Sequence, residues 1–351
     1  MSLPRRVIVT AVLALATTLT VAGCSGAAPV TSASSQAATA ISPGSVAPSG
    51  AAPVATPTPV AAPTLSVTQL PLKLPTTLSR LVALPAGDQL LLLGGLEAGT
   101  TTTATILAVS PSAGTVSVAG HLAQTTHDAG GAVLGGRALV IGGGTSASTS
   151  AVQAVALTGG AASISGQLPQ ARSDDAVAAD STTAYVVGGY TGSTELPEIL
   201  ATTDGVSFHV VAHLAVTVRY PAVVVVGTTL WVFGGEHQGT VTDDIQRVDL
   251  TTGTAVVAGH LPAPLAHATA TVLDGTILLV GGTDGKAHQS AISRFDPTTA
   301  TLAAVGQLPA PASDMAIAVL ADSAYVVGGE VASVGGKVTS LNTVVRLQLA
   351  H

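Results

Sequence analysis

Tyr325-Val326-Val327-Gly328-Gly329-Glu330 is the last copy of a stretch that recurs through the chain. An apolar triplet followed by Gly-Gly also occurs at Leu91–Gly95, Leu139–Gly143, Tyr185–Gly189, Trp231–Gly235 and Leu278–Gly282. The first glycines fall at 94, 142, 188, 234, 281 and 328, so successive copies lie 48, 46, 46, 47 and 47 residues apart. A near-constant period of this size marks a repeat architecture, either propeller blades or a helical array. Between the glycine pairs stand short β-type runs broken by turn residues, without helical periodicity, which favours strands. The unit from Leu168 to Leu214 displays the pattern: expected strands at Asp174–Asp180, Thr183–Gly188, Glu198–Thr203 and Val206–His213, the last two joined by an Asp204-Gly205 turn. Four short strands with tight turns make one propeller blade.

The six apolar-Gly-Gly strands are accompanied by an Asp-Pro-Thr-Thr turn at 296–299 and an Asp-Leu-Thr-Thr turn at 249–252. Leu-Pro pairs precede the repeats at 168–169, 261–262 and 308–309. This pattern resembles the Kelch repeat over residues 64–351, and the resemblance implies an all-β, six-bladed β-propeller. The ends of the chain indicate how the ring closes. After Gly328-Gly329 only one more strand is expected, Asn342–Leu349, so the last blade lacks its fourth. Thr64–Pro71 reads like a fourth strand such as Thr301–Pro309, and it is expected to complete the C-terminal blade. Closure of this kind removes the open edges that invite aggregation. The glycine pairs are expected where the second strands end near the crowded axis, since glycine tolerates positive φ and close backbone approach.

The chain has 351 residues, of which only 9% are charged and 2% aromatic. Arg5 and Arg6 are the only cations before Lys73. Without them, the 12 basic residues fall to 10 against 19 acidic ones, a net of −9 with His neutral. That balance argues against nucleic-acid binding, which draws its affinity from Lys and Arg on phosphates. It argues equally against electrostatic docking on anionic lipid.

Cys24 is the single cysteine, so no intramolecular disulfide can form. Arg5-Arg6, the apolar run Val7 to Val21 and the small residues Val21-Ala22-Gly23 have the order of a secretory leader. Val21-Ala22-Gly23-Cys24 looks like the lipobox of bacterial lipoproteins, which implies cleavage before Cys24 and lipidation of its thiol. About 15 apolar residues are short for a membrane span of roughly 20. The expected organisation is a leader at 1–23, an Ala/Pro/Ser/Thr-rich disordered tether at 24–63 and the propeller at 64–351. The expected location is the extracytoplasmic face of the cell membrane, held there by the lipid anchor.

Counting back 14 residues from each first glycine gives Arg80, Asp128, Asp174, Tyr220, His267 and Asp314. Each opens a first strand, so the repeat places them in a ring at one mouth of the central channel, with His127 and Arg219 beside them. Loops after the glycine pairs rise on the same face, and loops on a rigid scaffold commonly carry function. Carboxylates at these strand starts can also bridge blades or cap backbone N–H groups. His121, Gln167, His213, His260 and Gln307 recur at one repeat position, which suggests a repeated structural hydrogen bond. No cofactor or metal is expected. The alternative is a Ca²⁺ held at the axis by Asp128, Asp174, Asp314 and His267, because oxygen ligands can converge there.

No Gly-x-Ser-x-Gly elbow, His-Glu-x-x-His or Walker A stretch occurs. The copper oxidases among Kelch proteins use a cysteine cross-linked to tyrosine, and the one cysteine here stands at the lipid site. The expected function is therefore a monomeric, lipid-anchored binding or scaffold module for another envelope protein. Its acidic mouth would suit a basic or hydrogen-bonding segment. The alternative is a Kelch-type sugar mutarotase, epimerase or lyase that uses His127, Asp174, Arg219 or His267 as acid–base groups.

Overall fold

The structure is a computed structural model, and it describes residues 64–98, 100–332 and 337–350. The expected leader, Cys24 and the expected tether lie outside the described residues. Six sheets, each built on four antiparallel strands, form six blades, and Gly160–Ala161 adds a short parallel strand to the outer edge of the first. Their innermost strands are Val82–Ala86, Gly130–Leu134, Ala176–Ala179, Ala222–Val226, Thr269–Leu273 and Ala316–Leu320, which define blades 1 to 6 in order. Each innermost strand packs against the next, and that of blade 6 packs against that of blade 1. The ring is closed.

Blade 3 is typical, with strands Ala176–Ala179, Ala184–Val187, Glu198–Thr202 and His209–His213 paired in sequence order. These strands are shorter than their sequence-based bounds because the first begins beyond the mouth residues and the fourth beyond the Asp204-Gly205 turn. In blade 6 the last strand, Thr343–Ala350, pairs with Ser323–Val327 on one side and with Thr64–Lys73 on the other. The outermost strand thus comes from the beginning of the described chain, in antiparallel register from Thr64 opposite Ala350 to Lys73 opposite Thr343.

The core explains why the apolar triplets are unbroken. Side chains alternate between the two faces of a strand, and both faces of each second strand are covered by a neighbouring blade. Leu90 and Leu92 join a buried cluster with Tyr325 and Val327 of blade 6. Leu91 and Leu93 join another with Ala138 and Val140 of blade 2. Six such clusters fill the six gaps between blades. Between blades 4 and 5 the filling is aromatic: Phe295 meets Trp231 and Phe233 edge-on, at centroid distances of 4.8 and 4.9 Å.

The second glycine of every pair ties its blade to the next through the backbone. Its N–H donates to Thr126, Arg172, Val218, Leu265, Ala312 and finally Leu78, at 2.8–3.1 Å, so the series also closes on itself. The first glycines have φ between 55° and 68°. A Cβ on Gly234 would lie 1.9 Å from the Leu265 carbonyl oxygen, and one on Gly328 would lie 2.1 Å from that of Leu78. No side chain fits there.

Candidate functional site

The six ring residues open the innermost strands, and all six are in the left-handed region, with φ from 52° to 59°. Such a conformation is uncommon outside glycine and persists where surrounding contacts over-determine it. Here the contact is a second closed ring. Asp128 N–H donates to Arg80 C=O (3.2 Å), Asp174 to Asp128 (2.9 Å), Tyr220 to Asp174 (2.8 Å) and His267 to Tyr220 (3.1 Å). Asp314 then donates to His267 (3.0 Å), and Arg80 to Asp314 (3.0 Å). The residue before each ring position bridges to the residue after the Gly-Gly pair of the same blade, as in Arg219 with Glu236 and Ser313 with Glu330. This register brings Tyr190, Glu236 and Glu330 to the mouth.

Side chains of the ring interlock across blades. Arg80 Nε donates to Glu330 Oε1 (2.9 Å) and its NH1 to Asp128 Oδ2 (3.2 Å). Arg219 donates to Glu236 Oε2 (2.7 Å) and lies 3.5 Å from Asp174 Oδ2. His267 Nδ1 bonds Asp314 Oδ1 (2.6 Å) and its Nε2 bonds Glu236 Oε1 (3.3 Å). Its ring stacks on Tyr220 at 3.9 Å. The Arg219 guanidinium sits over Tyr190 and Tyr220, at 5.1 and 5.4 Å from their centroids. The three carboxylates of the ring therefore bridge blades.

Burial works against a charge on His267, but hydrogen bonds to Asp314 and Glu236 outweigh it and lift the imidazole to about 9. Burial would raise Asp314, yet hydrogen bonds from His267 and the nearby charges hold it below the usual carboxylate range. Burial pushes Asp128 up to about 7 against the opposing charge of Arg80. For His127, burial and the charge of Arg80 both lower the pKa, with Asp174 opposing them. His127 Nδ1 lies 3.0 Å from Thr102 Oγ1, and Nε2 lies 3.6 Å from Asp128.

Beneath the ring the channel is lined mostly by small and apolar side chains around a cavity of about 210 Å³. Asp175 is the exception. It stands where the other blades carry Leu81, Ala129, Pro221, Ala268 and Met315. Both its carboxylate oxygens are buried without a hydrogen-bond partner, as is Nε of the buried Arg172. Burial pushes Asp175 to about 8 despite the charge of Arg172, so it carries a proton at neutral pH. Asp175 is not among the residues that the repeat count selects, although the Asp174-Asp175 doublet breaks the repeat. Glu236 and Glu330 lie outside the ring counted from the repeat. The register after Gly-Gly was the signal for them.

The structure brings together all eight sequence-predicted mouth residues: Arg80, His127, Asp128, Asp174, Arg219, Tyr220, His267 and Asp314. The five residues expected to make a repeated hydrogen bond behave differently. His121, Gln167, His213, His260 and Gln307 are exposed at the ends of outermost strands. His260 does meet side chains, with Nδ1 3.3 Å from Asp243 and 3.4 Å from Asp244. Asp243, Asp244 and His260 are also the one group among the described residues close enough to share a metal ion. They lie at the outer edge of blade 4, whereas His267 has both nitrogens committed to carboxylates.

Two clefts flank Tyr190 on the mouth face. One, of about 260 Å³, lies over blades 2 and 3 and is lined by Asp128, Asp174, Ser148 and Ser173. The other, of about 460 Å³, runs between the loops of blades 3 and 4 past Glu195, Thr217 and Arg219. Glu195 staples those loops by accepting from Gln238 N–H (2.6 Å) and Thr217 Oγ1 (3.1 Å).

The family model for the Kelch motif matches residues 264–301, from the lead-in of blade 5 to the start of its outermost strand. A comparison with curated proteins returns no match.

Proposed function

We propose, because this chain belongs to the Kelch-repeat β-propellers, that it is a protein-binding or scaffold module whose recognition surface is the mouth built around Arg80, Asp128, Asp174, Arg219, Tyr220, His267 and Asp314. The observation that carries this reading is the interlocked charge network. Asp128, Asp174, Glu236, Asp314 and Glu330 converge on Arg80, Arg219 and His267 within one face. Such a network holds its side chains in fixed positions on a rigid scaffold, which suits recognition. Fold alone does not choose among the uses of a propeller.

The acid–base alternative has less to support it. His267 is bonded at both nitrogens and has none free to take a proton from a substrate. Arg219 is held by Glu236.

The lipobox-like Val21-Ala22-Gly23-Cys24 supports a lipid-anchored position on the outer face of the cell membrane, with another envelope protein as partner. Two acyl chains anchor stably where one gives marginal, reversible binding. The test is cross-linking from intact envelope, comparing wild type with an Asp128→Ala, Asp174→Ala, Asp314→Ala triple variant of equal folded yield. Loss of a cross-linked protein in the variant is the expected result. Unchanged capture would remove the mouth as the recognition face. Labelled fatty acid should enter the wild type and not Cys24→Ala.

A further inference from the structure

The cleft over blades 2 and 3 holds about 260 Å³, less than the roughly 300–1,000 Å³ of pockets that enclose whole small molecules. It has room for one side chain. Two hydroxyls of its wall, Ser148 and Ser173, have no hydrogen left to offer. Ser148 Oγ donates to the Tyr190 carbonyl (2.9 Å), so the 3.0 Å contact between Ser148 and Ser173 must use the Ser173 proton. Both hydroxyl hydrogens are thereby spent within the wall, which leaves oxygen lone pairs.

The charge on the cleft points the same way. Asp128 and Asp174 both line it. The Asp128 side chain is 9% exposed, and its Oδ2 takes the contact from Arg80. Its Oδ1 accepts no hydrogen bond among the described residues, an open acceptor on a nearly buried carboxylate. The cation on this wall, Arg80, is already shared between Asp128 and Glu330. Tyr190 and Tyr220 supply ring surface at the rim.

From this geometry we infer that the cleft seats one cationic side chain of the partner, the ammonium of a lysine or the guanidinium of an arginine, against Asp128 and Asp174. The inference rests on the protein-binding reading of the mouth and narrows it to a class of anchor residue. The cation supplies donors to the carboxylate oxygens and to the spent Ser148 and Ser173 hydroxyls. The tyrosine rings line the path of its aliphatic stem.

The chain has four tyrosines, which makes ring-labelled tyrosine a compact reporter. Tyr190 and Tyr220 line the cleft, while Tyr185 and Tyr325 sit in second strands of blades 3 and 6 and serve as internal controls. The probes are blocked tripeptides with Lys, Arg, Gln or Glu between two glycines, titrated into the propeller and followed by nuclear magnetic resonance. The Lys or Arg peptide should shift Tyr190 and Tyr220 saturably, and the Gln and Glu peptides should not. Asp128→Asn should weaken the effect by at least about tenfold. Ser148→Ala, which keeps both carboxylates, guards against a folding defect in the first variant and should weaken it less. Equal or stronger binding of the Gln or Glu peptide overturns the inference, as does the absence of any shift. If no peptide binds but the triple variant still loses the cross-linked partner, the mouth reading stands and the cation seat falls. If cross-linking is unchanged in the triple variant, the mouth reading itself falls.

Discussion

His267 and Asp314, which open the innermost strands of blades 5 and 6, are joined twice: through a 2.6 Å side-chain hydrogen bond and through a 3.0 Å bond from Asp314 N–H to the His267 carbonyl. The side-chain bond makes His267 an imidazolium well above its ordinary range, at about 9. A basic group with a raised folded pKa contributes stability that is complete below its unfolded value near 6.5 and is lost as pH rises through about 9. Thermal unfolding between pH 6 and 9.5 should therefore show a falling midpoint. In His267→Gln the midpoint should be lower at pH 6, and its fall through this window should be shallower.

Asp175 adds to the same trend through a different group. Its folded pKa of about 8 stands far above the ordinary carboxyl value of 3.8, because the carboxylate would be buried without a hydrogen bond. Its contribution is complete below about pH 3.8 and disappears progressively as pH rises towards 8. Asp175→Asn keeps the shape and cannot ionise. The variant should match wild type near pH 3.5, begin to exceed it in unfolding midpoint by pH 5 and exceed it most at pH 8–9. A midpoint equal to or below that of wild type at pH 9 would mean that Arg172 compensates the carboxylate fully.

Two glycines of blade 4, Gly227 in a turn and Gly234 in a Gly-Gly pair, separate strain from collision. Gly227 and Gly234 have nearly the same φ, 58° and 55°, but a Cβ on Gly227 meets nothing within 4 Å whereas one on Gly234 meets the Leu265 carbonyl at 1.9 Å. Gly227→Ala should cost about 1–2 kcal/mol, the left-handed penalty alone. Gly234→Ala should cost about 1–3 kcal/mol more, because the neighbouring blade has to move. Urea unfolding reads both, with Trp231, the single tryptophan and 4% exposed, as reporter.

Recognition at the mouth should depend on pH through Asp128. Arg80, His127, Asp174 and Asp314 all face this carboxyl, and burial lifts it to about 7. A cationic guest needs it ionised, so the Lys-peptide affinity should rise between pH 6 and 8 and level off above. In Asp128→Asn that rise should vanish. A flat profile in the wild type would place the guest away from Asp128.

The repeat was legible because one constraint, a strand buried on both faces and ending against the next blade, has the same solution six times: an apolar run and two glycines. Ring membership of Arg80, Asp128, Asp174, Tyr220, His267 and Asp314 followed from that phase. The pairing among them did not. Arg80 and Asp128 stand one repeat apart and Glu330 lies 250 positions on, but the repeat fixes where these residues stand and not which carboxylate the Arg80 side chain turns to. Asp175 escaped notice because its oddity is visible only against the apolar residues that occupy its place in other blades. The exposed His121, Gln167, His213 and Gln307 show the converse error. They recur, but a position at the end of an outermost strand faces water, so recurrence there does not need a partner.

Closure gives the last test. Thr64–Lys73 covers the free edge of Thr343–Ala350, and it places Leu72 in the cluster between blades 6 and 1 and Leu65 and Val67 against that between blades 5 and 6. Removing residues 64–72 takes away the outermost strand of blade 6 and exposes the backbone groups of Thr343–Ala350. The two backbone rings at the mouth would keep most of their bonds, since neither ring includes residues 64–72. The expected product is a folded propeller with an open, apolar edge, which should aggregate on size-exclusion chromatography. A peptide spanning 64–73, added during refolding, should restore a soluble monomer by occupying that edge. If the truncated chain is monomeric without the peptide, the strand is dispensable for closure and the backbone rings alone hold blade 6 to blade 1.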